Sequence, residues 1–276
     1  MHSIVEQLHE AGIFAQGTDE LVAYETRLSR FFSREYAPYL VQQTPAPEQW
    51  IVTNEGPMVV KNKDLMDEHY DKQLTLFESF LDRHYMAYTM AYYGETPNDI
   101  SNSKLSLEQA QQQKFRLICE RAGLRGNENI LNLGCGFGSF ETYLSETYRN
   151  IRFTSLTSSR VQAAYIQNCI KNPNHPIDRG QCRLIQSVFN EDENLQLLPG
   201  SYDAVFAIGL FEHINNLHEA FRQIARLLVP GGFCFLHLIV SIPAFPQYQD
   251  SSKTLLGKYF PGGRIWPFEV MSRQNH

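Results

Sequence analysis

No apolar run in this 276-residue chain reaches the ~18 positions needed to cross a bilayer. The N terminus, MHSIVEQLHEAG, mixes charge into what would have to be an unbroken apolar stretch in a secretory signal. A cytoplasmic protein that is not integral to a membrane is therefore expected. Cysteine is scarce: Cys119, Cys135, Cys169, Cys182 and Cys234 include no C-x-x-C pair, which argues against a disulfide scaffold and implies no metal site. A basic excess is missing too. The formal charge is −6, and residues 1–68 carry 11 of the 30 acids but only 5 of the 24 Lys and Arg. An acidic N-terminal third on a neutral body argues against nucleic acid and leaves at most peripheral membrane contact. No internal repeat is visible.

What the chain does have is enough apolar residue, 43%, to build a sizeable core, and one stretch around which it is organised. Ile130 to Phe140 reads ILNLGCGFGSF: a short buried strand, a glycine-dense turn and the start of a helix. Gly134, Gly136 and Gly138 allow positive φ and close approach of a ligand, towards which the next helix aims its N-terminal amides. Taken alone the loop suits S-adenosylmethionine (SAM), a dinucleotide, or a packing turn with no ligand. The dinucleotide reading wants an acid about 20 residues on, and the next strand ends in Leu156, Thr157 and Ser158.

In chain order, Ser3 with Glu6 suggests a capping box, Thr18 or Asp19 opens a second helix, and four prolines across 38–57 mark an irregular arm. The spacing of His69 to Asp82 predicts an amphipathic helix, and Ser106 with Gln109 caps another that Gly123 ends. From Asn129 onward, strands at Asn129–Leu133, Ile151–Leu156, Arg183–Ser187, Tyr202–Ile208 and Phe233–Val240 alternate with helices at about 139–148, 159–171 and 217–228. Pro230, Gly231 and Gly232 read as the turn into the last strand. The expectation is a doubly wound α/β fold with a mainly parallel sheet, its ligand at the carboxyl ends of the strands.

Eight segments from His69 to Gly263, in order HYD, AYTMAYYGE, LEQAQQQK, LNLGCGFG, LTSSRVQ, AIGLFEHINN, FLHLIV and KYFPGG, together resemble one family. It is the cyclopropane-fatty-acyl-phospholipid synthase and mycolic acid methyltransferase family, with the coclaurine-type N-methyltransferases as relatives. The resemblance implies a Rossmann-like SAM methyltransferase domain at 69–276 behind an acidic helical appendage at 1–68. It implies that Tyr88 and Thr89 touch the methionine part of SAM, that Gly134 and Gly136 pass beneath it, and that Thr157, beside Ser158, and Gln162 reach the ribose. The ring face of Tyr88 can stabilise a cation by roughly 0.5–2 kcal/mol. Glu212 and His237 are the implied catalytic residues, which in the cyclopropane synthases hold a bicarbonate ion; in the amine methyltransferases Glu212 and His213 would orient or deprotonate the nucleophile.

Departures from the family pattern qualify this. Asn132 stands where the family has an acid, Ser187 with Val188 beside it replaces the adenine-side acid, and Met90 replaces a cysteine. The 36 residues from Ser241 to His276 are too few for the family's last strands, so a homodimer mate or another subunit is expected to cover the sheet edge. Three readings stay open: a methyltransferase of an unsaturated lipid or related hydrophobic acceptor, a coclaurine-like small-molecule N-methyltransferase, and a noncatalytic subunit that keeps the fold.

Overall fold

The computed structural model describes residues 56–60, 62–178, 181–190, 196–241, 247–248 and 260–272. The expected helices at Ser3 and Thr18 and nearly all of the arm at 38–57 lie outside them. The chain divides into two compact units. One takes its described residues from 56–69, 212–218 and 239–272; the other comprises the described residues of 70–211 and 219–238.

The second unit holds the sheet. Strands β1 (Asn129–Leu133), β2 (Arg152–Thr157), β3 (Cys182–Gln186), β4 (Tyr202–Ile208) and β5 (Leu228–His237) run in the order β3-β2-β1-β4-β5, with every pairing parallel. This is the expected doubly wound α/β fold. Buried on both faces, β1 is apolar inside apart from Asn132; Ile130, Leu131 and Leu133 are fully buried. The order reverses between β1 and β4, which opens a crevice at the strand ends where α/β proteins take ligands.

Helices connect the strands. The first in this unit, after a short Asn62–Leu65 helix (α1) in the other, is α2 (Leu74–Glu78). Then come α3 (Pro97–Asn102), α4 (Leu107–Ala122), α5 (Ser139–Thr147) and α6 (Arg160–Lys171), with α7 (Leu217–Leu227) ahead of β5. Helix α4 has the expected capping box, Ser106 with Gln109, and stops at Gly123 in the left-handed conformation (φ 65°). One core packs Phe115 and Ile118 of α4 and Phe140, Tyr143 and Leu144 of α5 against Ile130, Phe153 and Phe206 of the sheet.

Two expectations need correction. The helix from His69 to Asp82 is broken, because its acids serve other segments. Asp71 accepts from Ser159 Oγ (2.7 Å) and the Arg160 amide (2.9 Å), and Asp82 accepts from the amides of Tyr85 (2.6 Å) and Ala87 (3.0 Å). Strand β5 starts at Leu228 and ends at His237, so Pro230–Gly232 lies inside it rather than before it. A register shift between Tyr202 and Ala204 opposite absorbs these residues, and β5 ends the sheet among the described residues, where a proline is tolerated.

The first unit carries short strands β6 (Val240–Ser241), β7 (Gln247–Tyr248) and β8 (Arg264–Pro267) in the order β6-β8-β7, and helix α8 (Phe268–Ser272). Its Asn215 and Asn216 tie down the segment at 56–58: Asn215 Nδ2 donates to Pro57 O (3.1 Å) and Asn216 Nδ2 to Gly56 O (2.9 Å). The two asparagines of FEHINN are therefore structural tethers.

Candidate active site

The turn after β1 is a left-handed bend, with φ of 70° at Gly134, 58° at Gly136 and 76° at Gly138. A Cβ on Gly134 would come within 3.1 Å of Leu210, whereas one on Gly136 would meet nothing within 4 Å. Gly136 thus faces open space that a ligand can enter. The bend is pinned to β2 by the Cys135 amide donating to Leu156 O (2.9 Å). At the end of β2, Thr157 Oγ1 donates to Gln162 Oε1 (2.7 Å), and the Ser187 amide donates to Thr157 O (2.9 Å). Thr157, Gln162 and Ser187 are therefore linked to one another at the end of β2. Ser158 and Val188, in the loops after β2 and β3, are partly exposed.

Beneath the bend, Asn132 is buried and donates through Nδ2 to Glu141 Oε1 (2.8 Å), which also accepts from Ser155 Oγ (2.7 Å). Asn132 carries no charge of its own, but a glutamate reaches it from α5. Burial pushes the Glu141 carboxyl above the usual range, opposed by the Ser155 and Asn132 hydrogen bonds. No motif pointed to Glu141, because its partner lies nine residues away across the bend.

Tyr88 and Thr89 sit in an irregular segment held by the Asp82 carboxylate on one side and Gln111 on the other, whose Nε2 donates to Thr89 O (2.9 Å). Burial raises the Tyr88 phenol, and its ring packs against Phe77, Phe80 and Tyr70 at 5.5–6.0 Å between centroids. Lys114 was missed. It is 4% exposed, donates to Thr89 Oγ1 and to Gln111 Oε1 (2.5 Å), and lies over the Phe115 ring at 4.5 Å. Burial brings its ammonium down to about 7 against the opposing pull of Asp82. The signal was available: Gln111, Lys114, Phe115 and Ile118 repeat at helical spacing, so a lysine occupies the buried face of α4.

His237 ends β5, pairs in register with Ile208, and accepts the Gly209 amide on its carbonyl (2.8 Å). Gly209 also faces Thr89, whose Cγ2 would lie 3.2 Å from a Cβ there. Burial, then the charge of Lys114, lowers the His237 imidazole, which stays neutral at physiological pH with no hydrogen-bond partner on Nδ1 among the described residues.

In the other unit, Glu212 and His213 form a 3-10 turn with Phe211. Glu212 is 6% exposed, and its Oε1 accepts the Ile239 amide at 2.7 Å while Oε2 has no hydrogen-bond partner among the described residues. Burial raises its carboxyl, a bias towards holding a proton. The His213 ring packs on Phe260 at 4.6 Å, and burial, then His69, takes its imidazole down to about 3.

The chain matches the mycolic acid cyclopropane synthetase family over residues 59–275. It belongs to that family. The cyclopropane-fatty-acyl-phospholipid synthase of Escherichia coli (strain K12) is 31% identical over 176 residues, 63% of this chain and 40% of that protein. The (S)-coclaurine N-methyltransferase of Thalictrum flavum subsp. glaucum is 28% identical over 168 residues, 59% of this chain and 44% of that protein. This member of the family thus spans under half the length of these two relatives. A solved coclaurine N-methyltransferase bound to N-methylheliamine and SAH superposes with a TM-score of 0.72, covering 99% of this chain and 76% of that one at 18% identity. That likeness establishes the fold as the Rossmann-like fold of SAM methyltransferases.

Proposed function

We propose that this chain is a SAM-dependent methyltransferase that acts on an unsaturated lipid or a related hydrophobic acceptor. The observation that carries the reading is a left-handed glycine bend with open space at Gly136, in the unit whose strand β5 ends at the buried, neutral His237; the other unit holds the buried Glu212. Gly134 and Gly136 would pass beneath the cofactor, Tyr88 and Thr89 would flank its methionine part, and Thr157 with Gln162 would meet the ribose. Thr157 occupies the carbonyl end of Gln162, so the NH2 end is the one left for a ligand oxygen. The lining suits SAM, whose sulfonium and ammonium call for acceptors and aromatic faces and whose ribose hydroxyls call for polar side chains. When bound, SAM supplies an electrophilic methyl group.

The protein's own part is to manage a proton. With Oε1 of Glu212 committed to the Ile239 amide, Oε2 is the atom that can hold or take one. Neutral His237 can accept a proton on a ring nitrogen, or orient a bicarbonate that does so. The test is incubation of the pure protein with methyl-labelled SAM and vesicles of unsaturated phospholipid, followed by lipid mass spectrometry. Label in lipid is the expected outcome. Label only in an added amine would shift the assignment to N-methylation, the second reading, which the likeness to the coclaurine enzyme favours. No binding of SAM or SAH by calorimetry would leave the noncatalytic subunit.

A further inference from the structure

A carboxyl that is 1% exposed beneath a ligand-binding bend calls for an account of its own. Glu141, third residue of α5, receives two hydrogen bonds on one oxygen, from Asn132 Nδ2 and Ser155 Oγ. Asn132 and Ser155 are register partners on β1 and β2, so three side chains from three elements converge on one point. The geometry settles which way Asn132 faces. Its NH2 end is spent on Glu141, so its carbonyl oxygen points elsewhere, whereas an asparagine beside an apolar residue could present either end. Asn132 Oδ1 and Glu141 Oε2 are both buried acceptors with no hydrogen-bond partner among the described residues. Leaving such acceptors unmatched disfavours the ligand-free state. The other titratable groups that face the carboxyl are the thiols of Cys135 in the bend and Cys182 on β3, both held protonated by burial. Neither offers a cation. Burial raises the Glu141 carboxyl; the first turn of α5 favours its charged form, and a cation arriving above the bend would favour that form further and draw off the proton.

We propose that Glu141 is a positioning residue for the cofactor: it fixes the Asn132 amide with its carbonyl outward, and it supplies the buried negative charge beneath the cationic end of SAM. The inference rests on the SAM-binding reading above. It places the acid of the bend on the helix instead of the strand, at a position 2.8 Å from the amide it orients.

Exchange of the two groups tests it. SAH binding by calorimetry and thermal midpoints are compared for the full chain, E141Q, N132D and the double variant N132D/E141Q. Glu141→Gln keeps the shape and can still accept from Asn132 but loses the charge; it is expected to weaken SAH binding by about tenfold or more with a small thermal shift. Asn132→Asp sets two carboxyls in contact and is expected to lower the thermal midpoint at neutral pH. The double variant merely swaps acid and amide, and is expected to recover both affinity and midpoint to near the unaltered values. Unaltered affinity in folded E141Q, or a double variant no better than E141Q, would overturn the proposal. Failure of the unaltered chain to bind SAH would overturn the SAM-binding reading itself, and this inference with it.

Discussion

Lys114→Met gives the sharpest check on how the segment at Tyr88 and Thr89 is supported. The lysine is 4% exposed, and burial brings its pKa from 10.5 to about 7, so its folded form sheds a proton that the unfolded chain keeps. That gap of roughly 3.5 units corresponds to about 5 kcal/mol at 1.36 kcal/mol per unit. The sign follows from proton counts. Below pH 7 both states are charged and the folded state bears the full desolvation penalty. Between pH 7 and 10.5 the unfolded state binds more protons, so stability rises with pH by up to about 1.4 kcal/mol per unit. Methionine has similar length and does not titrate. Tyrosines and cysteines, such as Cys119 with its thiol pushed up to about 12, pull the other way, but they act equally on both proteins. Urea unfolding at pH 7.5 and 9 should therefore show the unaltered protein gaining about 2 kcal/mol relative to K114M over that interval. A stability difference that stays constant across the interval would refute the buried, deprotonating amine.

Other expectations can be checked on the same material. Gly136→Ala and Gly123→Ala impose the same left-handed strain, about 1–2 kcal/mol, since both glycines have positive φ and open space around a Cβ. Calorimetry should find SAH affinity lost only in G136A. Glu212→Gln should lower turnover by about 10²–10⁴ while SAH affinity, measured separately, stays unchanged. Asp71→Asn should destabilise by about 2 kcal/mol in denaturant melts, because the carboxylate accepts from Ser159 Oγ, from Arg160 Nε and from the amides of Arg160 and Val161. The Asp71 carboxyl is held below its usual range by those hydrogen bonds, which outweigh burial, so its stabilisation is present above the unfolded pKa and fades as pH falls through the folded one. Acid titrations of D71N should lack that component.

The parallel sheet could be read from the sequence because strands buried on both faces leave dense apolar runs between glycine and polar punctuation. The capped ends of α4 were legible for a local reason: Ser106, Gln109 and Gly123 act on their own helix. Where reading failed, the deciding contact was remote. Asp71 and Asp82 look like ordinary acids on an amphipathic stripe, yet Asp71 is spent on the start of α6 and Asp82 on the amides of Tyr85 and Ala87 just beyond the stripe. Pro230 to Gly232 is turn chemistry by composition, and only the irregular register opposite Tyr202 shows how a strand can contain it. The bend itself was visible in its three glycines. The acid below it was not, since nothing local ties Glu141 to Asn132 and Ser155.

The strand order has a consequence for how the chain is made. Leu131 in the middle of the sheet pairs with Thr154 on one side but with Val205, more than seventy residues later, on the other. During synthesis β1, β2 and β3 can associate well before β4 leaves the ribosome, and in that interval the apolar flank of β1 has no neighbour. Leu210, which walls Gly134, arrives later still. The nascent domain is therefore most vulnerable to misassociation just when its future ligand seat is half built, and slow translation across 158–201 would prolong that exposure.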